Sequence, residues 1–194
     1  MIQTKEDLKE YLKCDQYALH QEGRHSPRFG RDEIWRFEIL LRKAEYYTNN
    51  RKSLINRILY VIYKIKFHRI SVKLNFSIPI NVFGKGLSIA HYGPIVVNSN
   101  AKVGDYCRIQ ECVTIGSTGG SDLAPEIGDF VFIASGARLI GNIRIGNNVA
   151  IGANAVVTKT CIDDHVTLAG VPAKIISHHG SEKFVREALK NKNA

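Results

Sequence analysis

The sequence predicts a mainly β fold, a solenoid of short parallel strands preceded by a small α-helical N-terminal region. Aliphatic residues recur every six positions, with one gap at position 121. They are Val97, Val103, Ile109, Ile115, Ile127, Ile133, Leu139, Ile145, Ile151 and Val157. Four residues after most of them stands a second small or aliphatic residue, as at Ala101 and Cys107. A period of six fits neither an amphipathic helix nor an alternating strand. It is typical of hexapeptide solenoids, whose inner face is the periodic aliphatic column.

The first 70 residues predict helices. A periodic apolar stretch ends near residue 19, and Ser, Pro and Gly between residues 24 and 30 interrupt it. A second helix is predicted over 33–47, and Ser53 is placed to cap a third over 54–67. We therefore expect a helical region at 1–70.

The third helix belongs to a strongly basic segment, the basic helix 51–69. The chain carries a net charge of +9, and no acidic residue lies between Glu45 and Asp105. This field attracts anions such as a nucleotide-like cofactor, an anionic glycan or lipid headgroups. Nucleic acid is excluded as a partner because no base-reading motif accompanies the charge. Two interpretations of the helix remain: peripheral contact with a membrane or partner, or a cover for the open end of the solenoid.

The solenoid domain is predicted at 71–176. After Ile115 the repeat skips once and resumes in phase at Ile127, so residues 117–126 should form a projecting loop, and grafted loops commonly carry function. Pro172 is expected to end ladder pairing. Residues 177–194 are predicted to hold a short helix, over 181–190, and a tail.

Two further expectations concern environment. The start of the chain is charged and lacks the apolar core of a secretory signal, and no apolar run approaches the roughly 20 residues of a membrane span. We therefore expect a cytoplasmic location, at most at the inner face of the membrane. The four cysteines show no CxxC pair, so we expect them to be reduced and structural. No metal site is predicted.

Residues 91–175 closely resemble the left-handed β-helix acyltransferases, and within them the serine acetyltransferase branch. The motifs that carry the resemblance are AHYGPIVV, VTIGSTGG, IASGARLIGNIRIGNNVAIGANAVV and AGVPAKII. The resemblance implies a left-handed coil, a homotrimer with active sites between neighbouring coils, and acetyl-CoA as co-substrate. It also implies direct transfer of the acetyl group to an acceptor hydroxyl.

His91 matches the catalytic histidine of that family. An imidazole is a suitable general base for a hydroxyl near neutral pH, since its ordinary pKa is about 6.5. Because three hexapeptides make one coil, residues 18 apart should stack, which places Ile109 above His91. Glu111, just beyond, is then a candidate to orient His91, as is a backbone carbonyl. Cys112 nearby leaves open an acyl-enzyme alternative with Cys112 as nucleophile.

The resemblance also implies a cofactor surface. Its compact turn contains Ser117, Thr118 and Gly119, and Ser117 matches the family position that faces the thioester sulfur. Ser135 and Ala153 match positions whose backbones bind the pantetheine arm. Two cations on the late coils, Lys159 and Lys174, lie where the nucleotide phosphates should reach, although a solvated face explains them equally well.

Three acceptor-side groups of the family are missing. Ala90 stands where an aspartate precedes the histidine, Phe76 where an aspartate orients it, and Ala124 where the loop carries a second histidine. An unmatched ammonium in a partly desolvated pocket costs several kcal/mol. We therefore expect the acceptor to be a sugar of a capsular or surface polysaccharide, or its precursor, rather than L-serine. The alternatives are a serine O-acetyltransferase of cysteine biosynthesis and a non-catalytic trimeric scaffold.

Overall fold

The computed structural model describes residues 1–187, and three helices open the chain. They are α1 (Lys5–Ala18), α2 (Glu33–Asn49) and α3 (Leu54–Leu74). Thr4 caps α1 and forms a reciprocal capping box with Asp7, and the Ser53 hydroxyl caps α3 by accepting from the backbone N–H of Asn56. α3 ends at Asn75, whose backbone is left-handed. The helical region thus extends four residues beyond the predicted boundary at 70.

Fourteen short strands follow in the described part of the chain. They are β1 (Phe76–Ser77), β2 (Ser88–Ile89), β3 (Ile95–Val97), β4 (Lys102–Val103), β5 (Arg108–Ile109), β6 (Thr114–Gly116), β7 (Glu126–Ile127), β8 (Phe132–Ile133), β9 (Arg138–Ile140), β10 (Arg144–Ile145), β11 (Ala150–Ile151), β12 (Val156–Val157), β13 (Thr167–Gly170) and β14 (Ala173–Ser177). They form three sheets, β1-β3-β6-β9-β12, β4-β7-β10 and β2-β5-β8-β11-β13-β14. The predicted left-handed β-helix with a small helical N-terminal region is confirmed.

The core of the coil is the predicted aliphatic column. Ile109, Ile115, Ile133 and Leu139 are fully buried and stack in register across neighbouring strands. The stacking offset, however, is not uniformly 18 residues. It is 18 for Val97 on Ile115, but 24 for Ile115 on Leu139, because the loop 117–126 adds one hexapeptide length.

One corner of the coil is closed by a ladder of side chains. The Asp129 Oδ1 accepts from the backbone N–H of Asp105 at 2.7 Å, and the Asn147 Oδ1 accepts from that of Asp129 at 2.9 Å. The residue before each is glycine. A Cβ on Gly128 would lie 2.7 Å from the Gly146 carbonyl oxygen. The repeated Gly-Asp or Gly-Asn pairs therefore let successive coils approach closely.

The end of the coil differs from the prediction. Pro172 does not end ladder pairing; it stands in the turn between β13 and β14, which pair antiparallel. Pairing continues because the chain reverses direction there. The predicted helix at 181–190 is also not seen in its described portion, where residues 182–184 form a turn. The remainder of that prediction, residues 188–190, lies outside the described residues.

α3 covers the open end of the coil only with its last turns. Ile70 and Leu74 are buried against the coil, and Phe67 packs on Phe37 of α2 with ring centroids 5.4 Å apart. The aliphatic residues of its first three turns remain largely exposed. Within residues 1–187, no helix has the length and apolar character needed to cross a membrane.

Candidate active site

His91 lies at an outward corner of the first coil. The strand before it, β2, pairs with β5 at an offset of 20, with Ile89 opposite Ile109. After the corner the offset falls to 18, since the Cys112 N–H donates to the Pro94 carbonyl. The corner therefore contains two more residues than the coil above it, and His91 is exposed. The expectation that Ile109 stacks on His91 is wrong, because Ile109 pairs two residues earlier.

The offset of 20 brings His91 beside Glu111. The Ser135 hydroxyl donates to one carboxylate oxygen of Glu111, while the other oxygen is buried without a hydrogen-bond partner. The bond from Ser135 lowers the pKa of Glu111, and the nearby His91 charge also favours the ionised carboxylate. Across residues 1–187, no hydrogen bond or ion pair directly joins Glu111 to His91. In this arrangement Glu111 can influence the imidazole only through its charge, and its role in orienting His91 stays a prediction.

Gly93 allows this approach. Its φ is +135°, and a Cβ at this position would lie 3.0 Å from the Glu111 Cβ. A side chain here would be strained and would push Glu111 away from the corner. Cys112, the candidate of the acyl-enzyme alternative, is exposed at the following corner with a φ of +61°.

The residues predicted for the thioester end stand together on one loop. The Asn98 side-chain amide donates to the Ser117 hydroxyl at 3.1 Å, which fixes the start of the loop. Thr118 and Gly119 are exposed. Apart from its two chain neighbours, no atom of residues 1–187 would lie within 4 Å of a Cβ added to Gly119. Packing inside the chain therefore does not require glycine there, and the space can admit a narrow ligand such as a pantetheine arm.

The two residues predicted to bind the pantetheine arm differ in availability. The Ser135 backbone N–H donates to the Gln110 side chain at 3.0 Å, and the Ser135 carbonyl accepts from Asn154 at 2.9 Å. Both groups are thus engaged within the coil. Ala153 is exposed at the next corner. The arm would meet the Ala153 backbone more readily than that of Ser135.

The two predicted phosphate-binding lysines share one cleft. Lys159 and Lys174 both line a space of about 290 Å³ at the end of the coil, together with Leu168 and Ile175. Both lysines are exposed. Two ammonium groups beside an apolar wall suit a ligand with phosphates and a flat base. Their binding of the nucleotide phosphates stays a prediction, and Asp163 lines the same cleft.

A second cleft, next to His91, contains a residue that the sequence analysis missed. Ala90 and Tyr92, the neighbours of His91, line a space of about 220 Å³ together with Arg108 and Trp35. Arg108 is half-buried and donates to the Ser88 hydroxyl at 2.9 Å. Burial lowers the pKa of its guanidinium, and no carboxylate of residues 1–187 forms an ion pair with it. In the structure Arg108 stands on β5 opposite Ser88 of the histidine strand. A pairing offset of 18 residues, which the repeat predicts, would place Arg108 opposite Ala90 instead.

The three positions that depart from the family carry apolar side chains. Phe76 and Ala124 are buried, and Ala90 is half-buried. Phe76 packs edge-on against Phe37, so it belongs to the core between α2 and the first coil. None of the three supplies a polar group to an acceptor.

Similar proteins are known for the coil. The family described as "Bacterial transferase hexapeptide (six repeats)" matches residues 124–159. The serine acetyltransferase of Salmonella typhimurium is 38% identical over 119 residues, which are 60% of this chain and 43% of the relative. That of Staphylococcus aureus (strain Mu50) is 40% identical over 99 residues, 50% of this chain and 46% of the relative. The chain thus matches less than half the length of these curated relatives.

Solved structures agree with the fold. The serine acetyltransferase of Neisseria gonorrhoeae has a TM-score of 0.66 and 27% identity, covering 96% of this chain and 68% of that one. A serine acetyltransferase from Brucella abortus in complex with coenzyme A has a TM-score of 0.67 and 28% identity, covering 91% and 70%. The coil of this chain is similar to hexapeptide-repeat acyltransferases of the serine acetyltransferase-like branch. The predicted resemblance is confirmed.

The expected acceptor is corrected by the same findings. The relatives and structures that match are serine acetyltransferases. The main expectation, a polysaccharide acceptor, is therefore wrong, and the alternative of L-serine is favoured. The error came from treating the three missing acceptor-side groups as decisive, although the coil around them is similar to serine acetyltransferases.

Proposed function

We propose that this chain transfers the acetyl group of acetyl-CoA to the hydroxyl of L-serine, with His91 as general base. The observation that carries the proposal is the exposed His91, beside an ionised Glu111, in a coil similar to proteins named serine acetyltransferase. The fit of Lys159 and Lys174 to a phosphate-bearing ligand supports the co-substrate.

In the proposed reaction, acetyl-CoA supplies an acyl group activated as a thioester. His91 takes the proton of the acceptor hydroxyl as its oxygen bonds to the acyl carbon, and returns a proton to the sulfur as the carbon–sulfur bond breaks. The negative charge of Glu111 stabilises the imidazolium in between. The exposed backbone near Thr118 and Gly119 is the available source of N–H donors for the developing charge on the acyl oxygen.

One group could replace a missing acceptor contact. Arg108 lies in the cleft next to His91 and can pair with a carboxylate. We propose that it holds the carboxylate of L-serine, which the residues at 76, 90 and 124 cannot do.

The assembly and location belong to the same proposal. We infer a homotrimer, because a single chain leaves His91 and the loop 117–126 open to solvent on the outside of the coil. Sedimentation should then give three times the mass of one chain. The cytoplasm, where acetyl-CoA is made and used, is the proposed location.

The proposal is tested by thiol release from acetyl-CoA with L-serine, and with glycine as the matched amino acid that lacks a hydroxyl. We expect turnover with L-serine alone. His91→Ala should lower kcat/KM by about 10² to 10⁴-fold, with coenzyme A binding in calorimetry unchanged. Cys112→Ala should retain activity, whereas the acyl-enzyme alternative requires its loss. Equal activity of His91→Ala and the parent would refute the base, and coenzyme A binding without turnover would indicate a scaffold.

Glu111 is a positioning residue in this scheme. Glu111→Gln keeps the shape and removes the charge, so we expect a loss of up to about 100-fold in kcat. The loss should fall on kcat and leave KM for L-serine nearly unchanged, because Glu111 acts on the base and does not contact the substrate. Glu111→Asp keeps the charge and should retain more of kcat than Glu111→Gln does. An equal loss in both variants would show that Glu111 has only a structural role. Arg108→Gln, in contrast, should raise KM for L-serine more than it lowers kcat.

A further inference from the structure

The exposed face of α3 carries a strip of aliphatic side chains that nothing in residues 1–187 covers. We call it the α3 strip. It comprises Leu54, Ile55, Ile58, Val61, Ile62 and Ile65. Each is between 40% and 72% exposed, and Val72, two turns after Ile65, is 68% exposed. A contiguous apolar surface of this kind marks an interaction site.

The geometry of the helix separates this strip from the packed face. At about 100° per residue, the members of the α3 strip fall within an arc of about 120°. The opposite face holds Tyr63, whose ring stacks on Tyr47 of α2 at 5.0 Å, and the buried Ile70 and Leu74. Because that face is fixed to α2 and the coil, the strip cannot turn inward. It stays presented to whatever lies outside the chain.

Cations border the strip on both sides. On the same helical wheel, Arg57 and Lys64 lie along one edge and Lys66 and Lys73 along the other. Lys73 pairs with Glu33 at 3.2 Å. No acidic residue occurs between Glu45 and Asp105. The surface is therefore apolar at its centre and positive at both margins.

We propose that the α3 strip docks on a bilayer of anionic phospholipids. An interfacial helix lies in the membrane plane with its apolar face in the acyl boundary and its cations at the headgroups. At 21 residues, α3 is about 30 Å long, so Arg57, Lys64 and Lys66 can reach headgroups together, while Lys73 is held by Glu33. The absence of acidic residues favours this occupant over a second copy of the chain, which would place two positive margins against each other.

Vesicle flotation tests the docking directly. The full chain is mixed with vesicles of phosphatidylcholine alone or of phosphatidylcholine with phosphatidylglycerol, at low and high salt. We expect binding to the anionic vesicles only, weakening as salt rises. Ile58→Ser with Ile65→Ser should abolish it. Arg57→Gln, Lys64→Gln and Lys66→Gln together should weaken it roughly 100-fold, at about fivefold for each cation.

Two matched variants serve as controls. Lys5→Gln, Lys9→Gln and Lys13→Gln remove three exposed cations from α1, and Ile162→Ser with Ile176→Ser remove two exposed isoleucines from the end of the coil. Both should bind like the parent, and circular dichroism checks that all variants are folded. The proposal is overturned if the parent does not bind anionic vesicles, or if the α1 and α3 charge variants weaken binding equally. It is also overturned if the α3 variants change only the mass in sedimentation, because the α3 strip would then be an interface between copies of the chain. Since flotation needs no acetyl transfer, its outcome is independent of the proposed activity.

Discussion

The coil and the helical region place charge and apolar surface in opposite ways. The interior of the coil is an unbroken aliphatic column, and its charged side chains are largely at the surface. The helical region instead buries Asp15, Glu38, Arg42 and Glu45 while it leaves the α3 strip exposed. The coil therefore has apolar side chains inside and charged ones outside, whereas the helical region also buries charged side chains and exposes apolar ones.

The buried charges have a specific task at the open end of the coil. Arg42 donates to the carbonyls of Phe83 and Gly84, at 2.9 and 2.5 Å. Asp15 accepts from the N–H groups of Gly86 and Leu87, at 2.8 and 3.0 Å. These backbone groups belong to the first coil, which has no coil below it to pair with. Side chains of α1 and α2 thus supply the hydrogen bonds that a further coil would have made.

The ions also balance one another. Arg42 is fully buried, and its guanidinium contacts Asp15 at 2.7 Å and Glu45 at 3.0 Å. Burial alone would lower the pKa of Arg42, but the charges of Asp15 and Glu45 outweigh it and raise the pKa. A buried polar network can thus close the open end of a solenoid, as an apolar helix can.

Removing Arg42 should produce the largest effect. Arg42→Ala leaves two buried carboxylates without their cation and two carbonyls without a donor, so we expect a loss of about 3 to 5 kcal/mol in the free energy of unfolding. Urea denaturation measures it.

The matched control neutralises the whole cluster. Asp15→Asn, Arg42→Met and Glu45→Gln together should recover much of the loss, because no charge stays unpaired. A loss below 1 kcal/mol for Arg42→Ala would mean that the network does not hold the helices to the coil.

The coil offers the corresponding apolar test. Ile133→Ala should lower the free energy of unfolding by about 2 to 5 kcal/mol, since Ile133 is fully buried between Ile109 and Ile151 and the stacked strands limit relaxation. Ile133→Val, measured in the same denaturation series, should cost about 0.5 to 1.5 kcal/mol. A loss for Ile133→Ala no larger than that for Ile133→Val would show that the column tolerates cavities.

The coil could be predicted from the sequence because its period is imposed by one repeated contact. Each aliphatic residue meets its counterpart one coil away, so the pattern needs no tertiary information. The two extra residues around His91 could not be predicted, since 18 was the assumed length of every coil. The reversal at Pro172 could not be predicted, since a proline that ends pairing and one that stands in a turn look alike in sequence; here it stands in a turn, where no N–H is needed.

The buried polar network of the helical region could not be predicted from the sequence. The helix carries Glu38, Arg42 and Glu45 at spacings of four and three residues, which place them on one face. This spacing is equally typical of a solvent-exposed charged face and of a buried ion-pair cluster. At the site, His91 followed from the resemblance, and Glu111 from its place near the stacked rung. Arg108 could not be predicted, because it lies beside the histidine strand only when that strand pairs at an offset of 20, with Ser88 opposite Arg108.

Glu38 is a buried carboxyl group in the helical region whose contribution to stability depends on pH. It accepts from the Ile89 N–H at 3.1 Å, and its other carboxylate oxygen has no partner. Burial raises the pKa of Glu38 well above its ordinary value, and the Asp15 charge raises it further. As pH rises past the ordinary pKa, the unfolded chain releases this proton first. The stability contribution of Glu38 is therefore present at low pH and is lost as pH rises toward the raised pKa.

We expect Glu38→Gln to match the parent near pH 4 and to become more stable than it above that. The difference should grow by at most about 1.4 kcal/mol per pH unit until the raised pKa is passed. Urea unfolding at several pH values measures it. Glu187→Gln, at an exposed carboxylate, should follow the parent throughout. A gap between Glu38→Gln and the parent that stays constant from pH 4 to 8 would rule out titration as the cause.

The smallest effect is expected on α3, where the comparison is most direct. Ile65→Ala makes the same truncation as Ile133→Ala, but Ile65 is 51% exposed and its removal opens no enclosed cavity. Alanine also favours a helix slightly more than isoleucine does. We therefore expect the free energy of unfolding to change by less than about 0.5 kcal/mol, measured without lipid. A loss near that of Ile133→Ala would mean that the α3 strip is covered in the isolated protein by another copy of the chain. The loss would then depend on protein concentration, whereas a surface kept free for a bilayer predicts the same small value at every concentration.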